Sequence, residues 1–248
     1  MNTTPALSLR NIHKSFGGIV AVEDLSLEVN RGEIVALVGE NGAGKSTIVK
    51  IIAGMHQPNS GEIRLAGELV HFIDPSQSQA KGVQVVYQDL ALAESQPVYM
   101  NLFLGREKTK GWFGKLDRAG MIAETEVLMR ELEVRVPSAK STVRKLSGGQ
   151  RQAIAIARAT HWATNLVLMD EPTAALGITE TSKVEDVITG LKARNLAILI
   201  VSHSLDQVFR LSDHICVLRR GKQIGVRQTN QTDKNEIVSM ITGLKETA

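Results

Sequence analysis

One short motif constrains this chain more than any other feature of its sequence. Residues 39–46 read Gly-Glu-Asn-Gly-Ala-Gly-Lys-Ser, which fits the pattern of a phosphate-binding loop. The glycines let backbone N–H groups close around phosphate oxygens, because no Cβ atom stands in the way. Lys45 then reaches the β- and γ-phosphates, and the Ser46 hydroxyl is placed to bind Mg²⁺. The candidate nucleotide-binding residues are Gly39, Glu40, Asn41, Gly42, Ala43, Gly44, Lys45 and Ser46.

The residues on either side of this loop support the interpretation. Residues 33–38 form an apolar run typical of a buried strand, and residues 47–55 have the pattern of an amphipathic helix. The order strand, loop, helix is the one that phosphate binding requires. We therefore prefer nucleoside triphosphate binding to the alternative, a glycine-rich turn without function.

Bulk composition narrows the class of protein only slightly. A chain of 248 residues can form one large α/β domain or two small ones, and 43% hydrophobic content is usual for a globular core. The net charge of +3 gives no argument for nucleic acid as a partner. Cys216 is the only cysteine, which excludes an intrachain disulfide, and its apolar neighbours predict a small core residue.

We expect the chain to be cytosolic and soluble by itself. Its first residues lack the basic region and apolar stretch of a signal peptide. No apolar run approaches the roughly 20 residues that a membrane-spanning helix needs. If the chain works at a membrane, another protein has to hold it there.

Four apolar runs predict the centre of the fold, at residues 34–38, 83–86, 166–169 and 196–201. Continuous apolarity is typical of strands covered on both faces, as in a parallel sheet flanked by helices. Functional groups then belong at the carboxyl ends of the strands. In chain order, the four runs are followed by the phosphate loop, Gln88, Asp170 with Glu171, and His203.

The remaining segments complete an α/β fold. Alternating residues at 7–9, 25–29 and 62–65 predict half-buried strands before and after the phosphate loop. Residues 89–160 show helical periodicity and few β signals, so we expect a mostly helical subdomain inserted between two core strands.

The end of the chain has its own pattern. Residues 215–226 predict a hairpin, and residues 232–242 predict a short amphipathic helix. We expect one domain spanning residues 1–248, with this hairpin and helix in about 213–248.

The carboxylate pair Asp170-Glu171 follows a predicted buried strand. In other phosphate-loop enzymes, an aspartate at the end of such a strand holds the Mg²⁺ coordination shell, so Asp170 is the candidate for that role here. Glu171 projects differently from the strand end and is a candidate general base for the attacking water. A helix N-cap or a surface turn is the alternative, and the preceding phosphate loop favours catalysis.

A second short motif, Leu-Ser-Gly-Gly-Gln at residues 146–150, precedes a strong helix-forming run. Ser147 is placed to cap that helix, and the two glycines leave the backbone open to close approach. The helix start then points at an anion, and it either binds no ligand or serves the nucleotide of another molecule.

With these motifs in order, the chain closely resembles the ATP-binding subunits of ABC transporters over essentially its whole length. The motifs are the phosphate loop, Gln88, residues 146–150, residues 170–173 and residues 202–203. The resemblance implies an ABC-type ATPase core with an N-terminal antiparallel β subdomain and an inserted helical subdomain. It also implies a head-to-tail homodimer that encloses two ATP molecules. Each ATP would lie between the phosphate loop of one copy and the helix that follows residues 146–150 of the other copy.

The resemblance assigns roles to individual residues. Glu171, His203 and Gln88 are the implied catalytic residues, with His203 on the γ-phosphate and Gln88 near Mg²⁺ and the attacking water. Phe16 takes the place of an aromatic ring that stacks on adenine, although a lone phenylalanine is more often a core residue. The further implied ATP contacts are Thr47, Ser147, Gly149 and Gln150, and the implied Mg²⁺ ligands are Ser46, Gln88 and Asp170.

Finer resemblance points to the monosaccharide importers of the fructose and ribose type. The residues that carry it are 86–90, 101–107 and 171–176. This branch implies sugar import driven by ATP, a membrane permease and an extracytoplasmic sugar-binding protein as partners, and a peripheral place on the cytoplasmic face of the cell membrane. Gly177 stands where most relatives carry an aspartate that couples the two sites, which puts that contact in doubt.

Two other functions compete with the transporter ATPase. A soluble ABC ATPase of DNA repair is disfavoured because only about 100 residues, without sustained heptads, separate the phosphate loop from residues 146–150. A soluble ABC ATPase of translation is disfavoured because such relatives usually carry two ATPase domains in one chain, whereas we expect one here. A nucleotide-dependent regulator without turnover is disfavoured by the intact Asp170-Glu171 pair.

Residues 97–105 mix apolar side chains with few charges. They either pack the helical subdomain or form a groove for a cytoplasmic helix of the permease, and we prefer the groove.

Overall fold

A computed structural model of the chain describes residues 4–111, 114–174 and 176–244. Ala175, which belongs to the motif at 171–176, and the last residues of the expected C-terminal segment lie outside these ranges. The described residues fall into two compact units. The first unit comprises those within 1–85, 163–171 and 192–248, and the second those within 86–162 and 172–191.

Twelve strands and eight α-helices occur in the described part of the chain. The strands are β1 (Leu7–Phe16), β2 (Ile19–Val29), β3 (Ile34–Val38), β4 (Ser60–Leu65), β5 (Glu68–Val70), β6 (Val83–Val86), β7 (Thr109–Lys110), β8 (Lys115–Leu116), β9 (Leu166–Asp170), β10 (Ala197–Val201), β11 (His214–Arg219) and β12 (Lys222–Gln228). The helices are α1 (Lys45–Ile52), α2 (Pro75–Ala80), α3 (Val98–Leu102), α4 (Arg118–Glu131), α5 (Gly148–Trp162), α6 (Ile178–Ala193), α7 (Leu205–Leu211) and α8 (Lys234–Thr242).

Ten of these strands form one sheet in the order β5-β4-β1-β2-β12-β11-β3-β10-β9-β6. Strands β11, β3, β10 and β9 pair in parallel. The continuous apolar runs predict this arrangement for β3, β9 and β10. Strands β2, β1, β4 and β5 pair antiparallel and form the N-terminal β part of the fold. The expected α/β fold with an antiparallel N-terminal portion is therefore confirmed.

The parallel strands are covered on both faces because apolar side chains point to either side of each strand. Val35 and Leu37 of β3 belong to a core cluster that includes Ile48 and Ile52 of α1. The intervening Ala36 and Val38 belong to a different cluster that includes residues of α7 and α8. Every residue of β3 and β10 is buried, so the sheet is a rigid base for the loops at its carboxyl edge.

The second unit contains α3, α4 and α5. Val98 of α3 packs with Val143, Leu146 and Ile154 in an apolar cluster of this unit. Residues 97–105 were expected to form a groove for the permease. Three apolar residues of this segment, Val98, Leu102 and Phe103, are fully buried. For these three side chains the groove interpretation is wrong, because they stabilise the helical unit itself.

Candidate functional site

The phosphate loop has a backbone that only glycine can supply at two positions. Gly39 has φ +152°, and a Cβ atom there would lie 2.2 Å from the carbonyl oxygen of Leu218. Gly44 has φ +104°, and a Cβ atom there would lie 2.4 Å from the carbonyl oxygen of Ala21. Both glycines are therefore required by close backbone approach as well as by conformation.

Lys45 lies over the loop that it follows. Its Nζ donates hydrogen bonds to the carbonyl oxygens of Gly39 at 2.7 Å and Glu40 at 2.8 Å. Burial lowers the pKa of this ammonium, and the negative charges of Glu171 and Asp170 oppose that effect. The residue is 5% exposed, so its positive charge is held at the loop and largely shielded from water.

Helix α1 begins directly after the loop with its first N–H groups open to an anion. Its N-cap is Gly44, and no side-chain oxygen caps the helix. The first N–H groups of any helix lack intrahelical partners and carry partial positive charge. Together with the Lys45 ammonium, they form a site that fits a polyphosphate.

Strand register brings the second half of the site to the same edge of the sheet. Val201 at the end of β10 is in register with Asp170 on one side and Leu37 on the other. The residues that follow these strands are Glu171, Ser202-His203 and the phosphate loop. The prediction that these motifs meet at the carboxyl ends of parallel strands is therefore confirmed within the first unit.

Glu171 and His203 form a close pair at this edge. His203 Nε2 lies 2.6 Å from Glu171 Oε1, and the Glu171 N–H donates to the Val201 carbonyl oxygen at 2.9 Å. Glu171 has φ +53°, an uncommon conformation for a residue other than glycine. Such strain is typical of positions that aim a functional side chain.

Asp170 is the second carboxylate of the edge. Burial raises its pKa, and the nearby charges of Lys45, His203 and Lys50 partly offset this rise. Among the described residues, no group of three or more His, Cys, Asp and Glu side chains is placed to hold a metal ion. A divalent cation at Ser46 and Asp170 would therefore take further ligands from phosphate and water, as Mg²⁺ commonly does.

Phe16 is 44% exposed at the end of the β1–β2 hairpin, where it pairs with Ile19. The interpretation of Phe16 as a core residue is therefore wrong. Its ring packs edge-on against His56 at 5.1 Å, and the Lys14 ammonium lies 5.0 Å from the ring centroid. Stacking on adenine stays a prediction.

Helix α5, which we call the signature helix, begins with a capping box. Ser147 Oγ accepts from the Gln150 N–H at 3.3 Å, and Gln150 Oε1 accepts from the Ser147 N–H at 3.0 Å. The predicted capping role of Ser147 is confirmed. Glu180 lies beside the same helix start, since a Cβ atom on Gly149 would be 2.9 Å from the Cβ of Glu180.

Glu180 is the residue of this site that sequence reasoning missed. Interaction with the nearby Ser147 hydroxyl is the main cause that lowers the pKa of the Glu180 carboxyl. The signal was weak, because an acidic residue in the first turn of a helix is expected for its own helix.

Two other predicted residues have simple placements. Gln88 is exposed, two residues after β6, and belongs to the second unit with Ser147, Gly149 and Gln150, so its catalytic role stays a prediction. Cys216 is fully buried, and burial raises the pKa of its thiol to about 12, as expected for a small core residue.

No helix in the described part of the chain has the length and apolarity needed to cross a bilayer.

Comparison with known proteins accounts for this set of motifs. Residues 22–174 match the ABC transporter family profile. The chain is 43% identical to the xylose/arabinose import ATP-binding protein XylG of Sulfolobus acidocaldarius, over 95% of this chain and 93% of that protein. The chain belongs to the ABC transporter family.

Other relatives agree with this membership. The chain is 38% identical to the fructose import ATP-binding protein FrcA of Rhizobium meliloti, over 99% of this chain and 97% of that protein. It is 36% identical to the ribose import ATP-binding protein RbsA of Clostridium tetani, of which it spans 48%. The fold matches the ADP conformation of MJ1267, an ATP-binding cassette of an ABC transporter, with a TM-score of 0.81, 26% identity, and coverage of 97% of this chain and 96% of that one.

Proposed function

We propose that this chain is the ATP-hydrolysing subunit of a sugar importer and that it powers a membrane permease by ATP-driven dimer closure. The observation that carries the proposal is the contact of Glu171 with His203 at the strand edge that also holds the phosphate loop. A carboxylate, an imidazole and a buried ammonium at one edge are the groups needed to cleave a phosphoanhydride bond with water.

The proposed chemistry follows from where these groups lie. The α1 N–H groups and Lys45 hold the β- and γ-phosphates and stabilise the charge that develops as the terminal phosphoryl group leaves. Glu171 accepts a proton from the attacking water, and His203 donates a hydrogen bond to the γ-phosphate. Mg²⁺, held by Ser46, Asp170 and Gln88, would neutralise phosphate charge. Phe16 would stack on the adenine ring.

The complete site requires a second copy of the chain. Ser147 and Gly149 lie at the start of the signature helix, where the helix carries partial positive charge. We assign these groups, with Gln150, to the γ-phosphate of ATP held by the partner protomer, in a head-to-tail homodimer.

The proposed cargo is a monosaccharide. Relatives that match nearly the whole chain are named for import of xylose and arabinose and of fructose, and a third for ribose. We place the chain at the cytoplasmic face of the cell membrane as a peripheral subunit. Its partners would be a permease and, indirectly, an extracytoplasmic sugar-binding protein, with no role for nucleic acid.

Reconstitution tests this proposal. The chain is co-expressed with candidate monosaccharide permeases, and any complex is placed in proteoliposomes with ATP on the outside. We expect co-purification, and we expect accumulation or release of pentoses and hexoses to depend on ATP and to stop in Glu171→Gln. A chain that hydrolyses ATP but neither binds the permease nor supports sugar movement would overturn the assignment to sugar import.

A further inference from the structure

Arg158 fastens a loop of the second unit to the signature helix. It lies near the end of that helix, and its guanidinium donates to the carbonyl oxygens of Leu90 and Ala91, each at 2.9 Å. The side chain is half-buried, so these carbonyls replace part of the water around its charge. Hydrogen bonds from a charged donor are roughly twice as strong as neutral ones, and the planar guanidinium fixes the direction of both.

The backbone that accepts these bonds is in a conformation that needs support. Ala91 has φ +47°, which is uncommon for a residue other than glycine. Such a conformation persists where the surrounding contacts hold the chain in place. The next residue, Leu92, packs against the apolar cluster that contains Val98 and Ile154. The loop is therefore held at residues 90–92 by its backbone and by a side chain.

Asn101 holds the same loop further along the chain. Its side chain is fully buried, accepts from the Ala93 N–H at 2.7 Å and donates to the Ala93 carbonyl oxygen at 3.1 Å. Gln88 and Asp89 come just before the held residues, and both are exposed. The point at which the loop becomes fixed thus lies two residues after Gln88, at the carbonyls that Arg158 binds.

We propose that Arg158 is a positioning residue for Gln88: by holding the Leu90–Ala91 backbone on the signature helix, it keeps Gln88 in the direction in which it acts. The inference rests on the proposed function, which gives Gln88 its place beside Mg²⁺ and the attacking water. The start of the signature helix, assigned to the partner's phosphate, lies about 15 Å along the helix axis from Arg158. A shift of this one helix therefore moves the Gln88 loop with it.

A purely structural role for Arg158 is the alternative. Both roles predict that loss of the guanidinium lowers turnover, because a less stable unit and a misplaced Gln88 each reduce activity. They differ in how the loss depends on Gln88. If Arg158 acts through Gln88, removing it costs little once the Gln88 side chain is absent, whereas the effects of independent residues multiply.

The test is a double-mutant cycle of Arg158→Met and Gln88→Ala, with ATP turnover measured on the full chain at saturating ATP and Mg²⁺. We expect Arg158→Met to lower kcat about tenfold in the parent chain, because misplacing a group in an active site by 1 Å can cost about 10²-fold. In the Gln88→Ala chain we expect the same change to lower kcat by less than about twofold. ATP affinity should stay within about twofold of the parent, because the phosphate loop is in the first unit.

Arg151→Met is the matched control. Arg151 lies on the same helix and donates to the Leu146 carbonyl oxygen at 2.9 Å, so the same kind of bond is lost near the other end. We expect its effect on kcat to be equal, within about twofold, with and without Gln88. Arg158→Lys keeps the charge but not the planar fork, so it should recover part of the turnover lost in Arg158→Met. It takes the place of Arg158→Met in the cycle if the latter does not fold.

Amide hydrogen exchange of the nucleotide-free chain gives a readout that does not depend on turnover. Exchange at residues 89–93 should be about fivefold faster or more in Arg158→Met, because the loop then opens more often. In Arg151→Met it should stay within about twofold of the parent.

An equal loss of turnover from Arg158→Met with and without Gln88, or unchanged exchange at residues 89–93, overturns this inference and leaves the proposed function standing. A Gln88→Ala chain that turns over ATP at the parent rate overturns the proposed role of Gln88 and the inference together.

Discussion

His203 Nε2 lies 2.6 Å from Glu171 Oε1, and the two residues follow neighbouring parallel strands that pair Val201 with Asp170. The contact fixes the direction of both side chains before any nucleotide is bound. In the proposed mechanism, a γ-phosphate would compete with Glu171 for the imidazole, and the carboxylate would then be available to accept a proton from water. On that proposal, the contact links phosphate binding to activation of the base.

Replacing Glu171 by glutamine should separate binding from turnover. The amide keeps the shape of the side chain but cannot act as a general base, and loss of such a base typically costs about 10²- to 10⁴-fold in rate. We expect ATP affinity within a few-fold of the parent chain, measured by calorimetry, and phosphate release reduced by that factor. Turnover at the parent rate would remove Glu171 from the mechanism.

Asp170→Asn should stabilise the nucleotide-free chain while weakening its response to Mg²⁺. Burial raises the pKa of Asp170 in the folded state, so the ionised carboxylate disfavours folding at pH values above that folded-state pKa. We expect the variant to unfold with a free energy about 0.5–1 kcal/mol higher at neutral pH.

The pH dependence gives this prediction its control. The advantage of Asp170→Asn should shrink as the pH falls through the folded-state pKa, because the wild-type carboxyl then becomes neutral as well. Mg-ATP should raise the unfolding temperature of the variant less than that of the parent. A variant less stable than the parent at neutral pH would contradict the account of Asp170.

Phe16→Ala should weaken ATP binding with little effect on folding. The ring is 44% exposed, so its removal leaves no core cavity, whereas stacking of a base on an aromatic ring contributes about 1–3 kcal/mol. We expect the dissociation constant for ATP to rise about 5- to 100-fold and to be restored in Phe16→Tyr. Binding of inorganic tripolyphosphate, which has no base, should be unchanged, and a parallel loss there would argue against stacking.

Patterns local to the chain predicted the core well. Continuous apolar runs identified β3, β6, β9 and β10 within one residue, because strands covered on both faces leave an unambiguous signal. A helix was expected directly after the motif at residues 146–150, and the signature helix occurs at Gly148–Trp162. The C-terminal hairpin and helix are likewise present, as β11, β12 and α8.

Contacts between residues far apart in the chain could not be predicted from local sequence patterns. Nothing in the local pattern of Phe16 distinguishes a core ring from the exposed ring observed, because exposure depends on which strands surround it. Val98, Leu102 and Phe103 were misassigned for the same reason, since burial requires knowing what α3 packs against. Glu180 lies beside Gly149 although the two are far apart in the chain, and no periodicity links the two positions.

The most direct test of the composite ATP site mixes two differently damaged chains, both carrying Glu171→Gln to prevent turnover. Lys45→Ala disables the phosphate loop. Ser147→Asp places a carboxylate at the signature helix while keeping a good N-cap residue at an exposed position. Gly149 is less suitable, because any side chain there would meet Glu180.

In the mixed dimer both lesions fall in one site and the other site is intact. The measurement is the amount of radiolabelled ATP trapped per dimer after rapid gel filtration. Our account predicts one nucleotide per mixed dimer and none for either damaged chain alone. Thermal unfolding would first establish that both damaged chains are folded. If the mixture then traps no nucleotide, that result would contradict a site built from two copies of this chain.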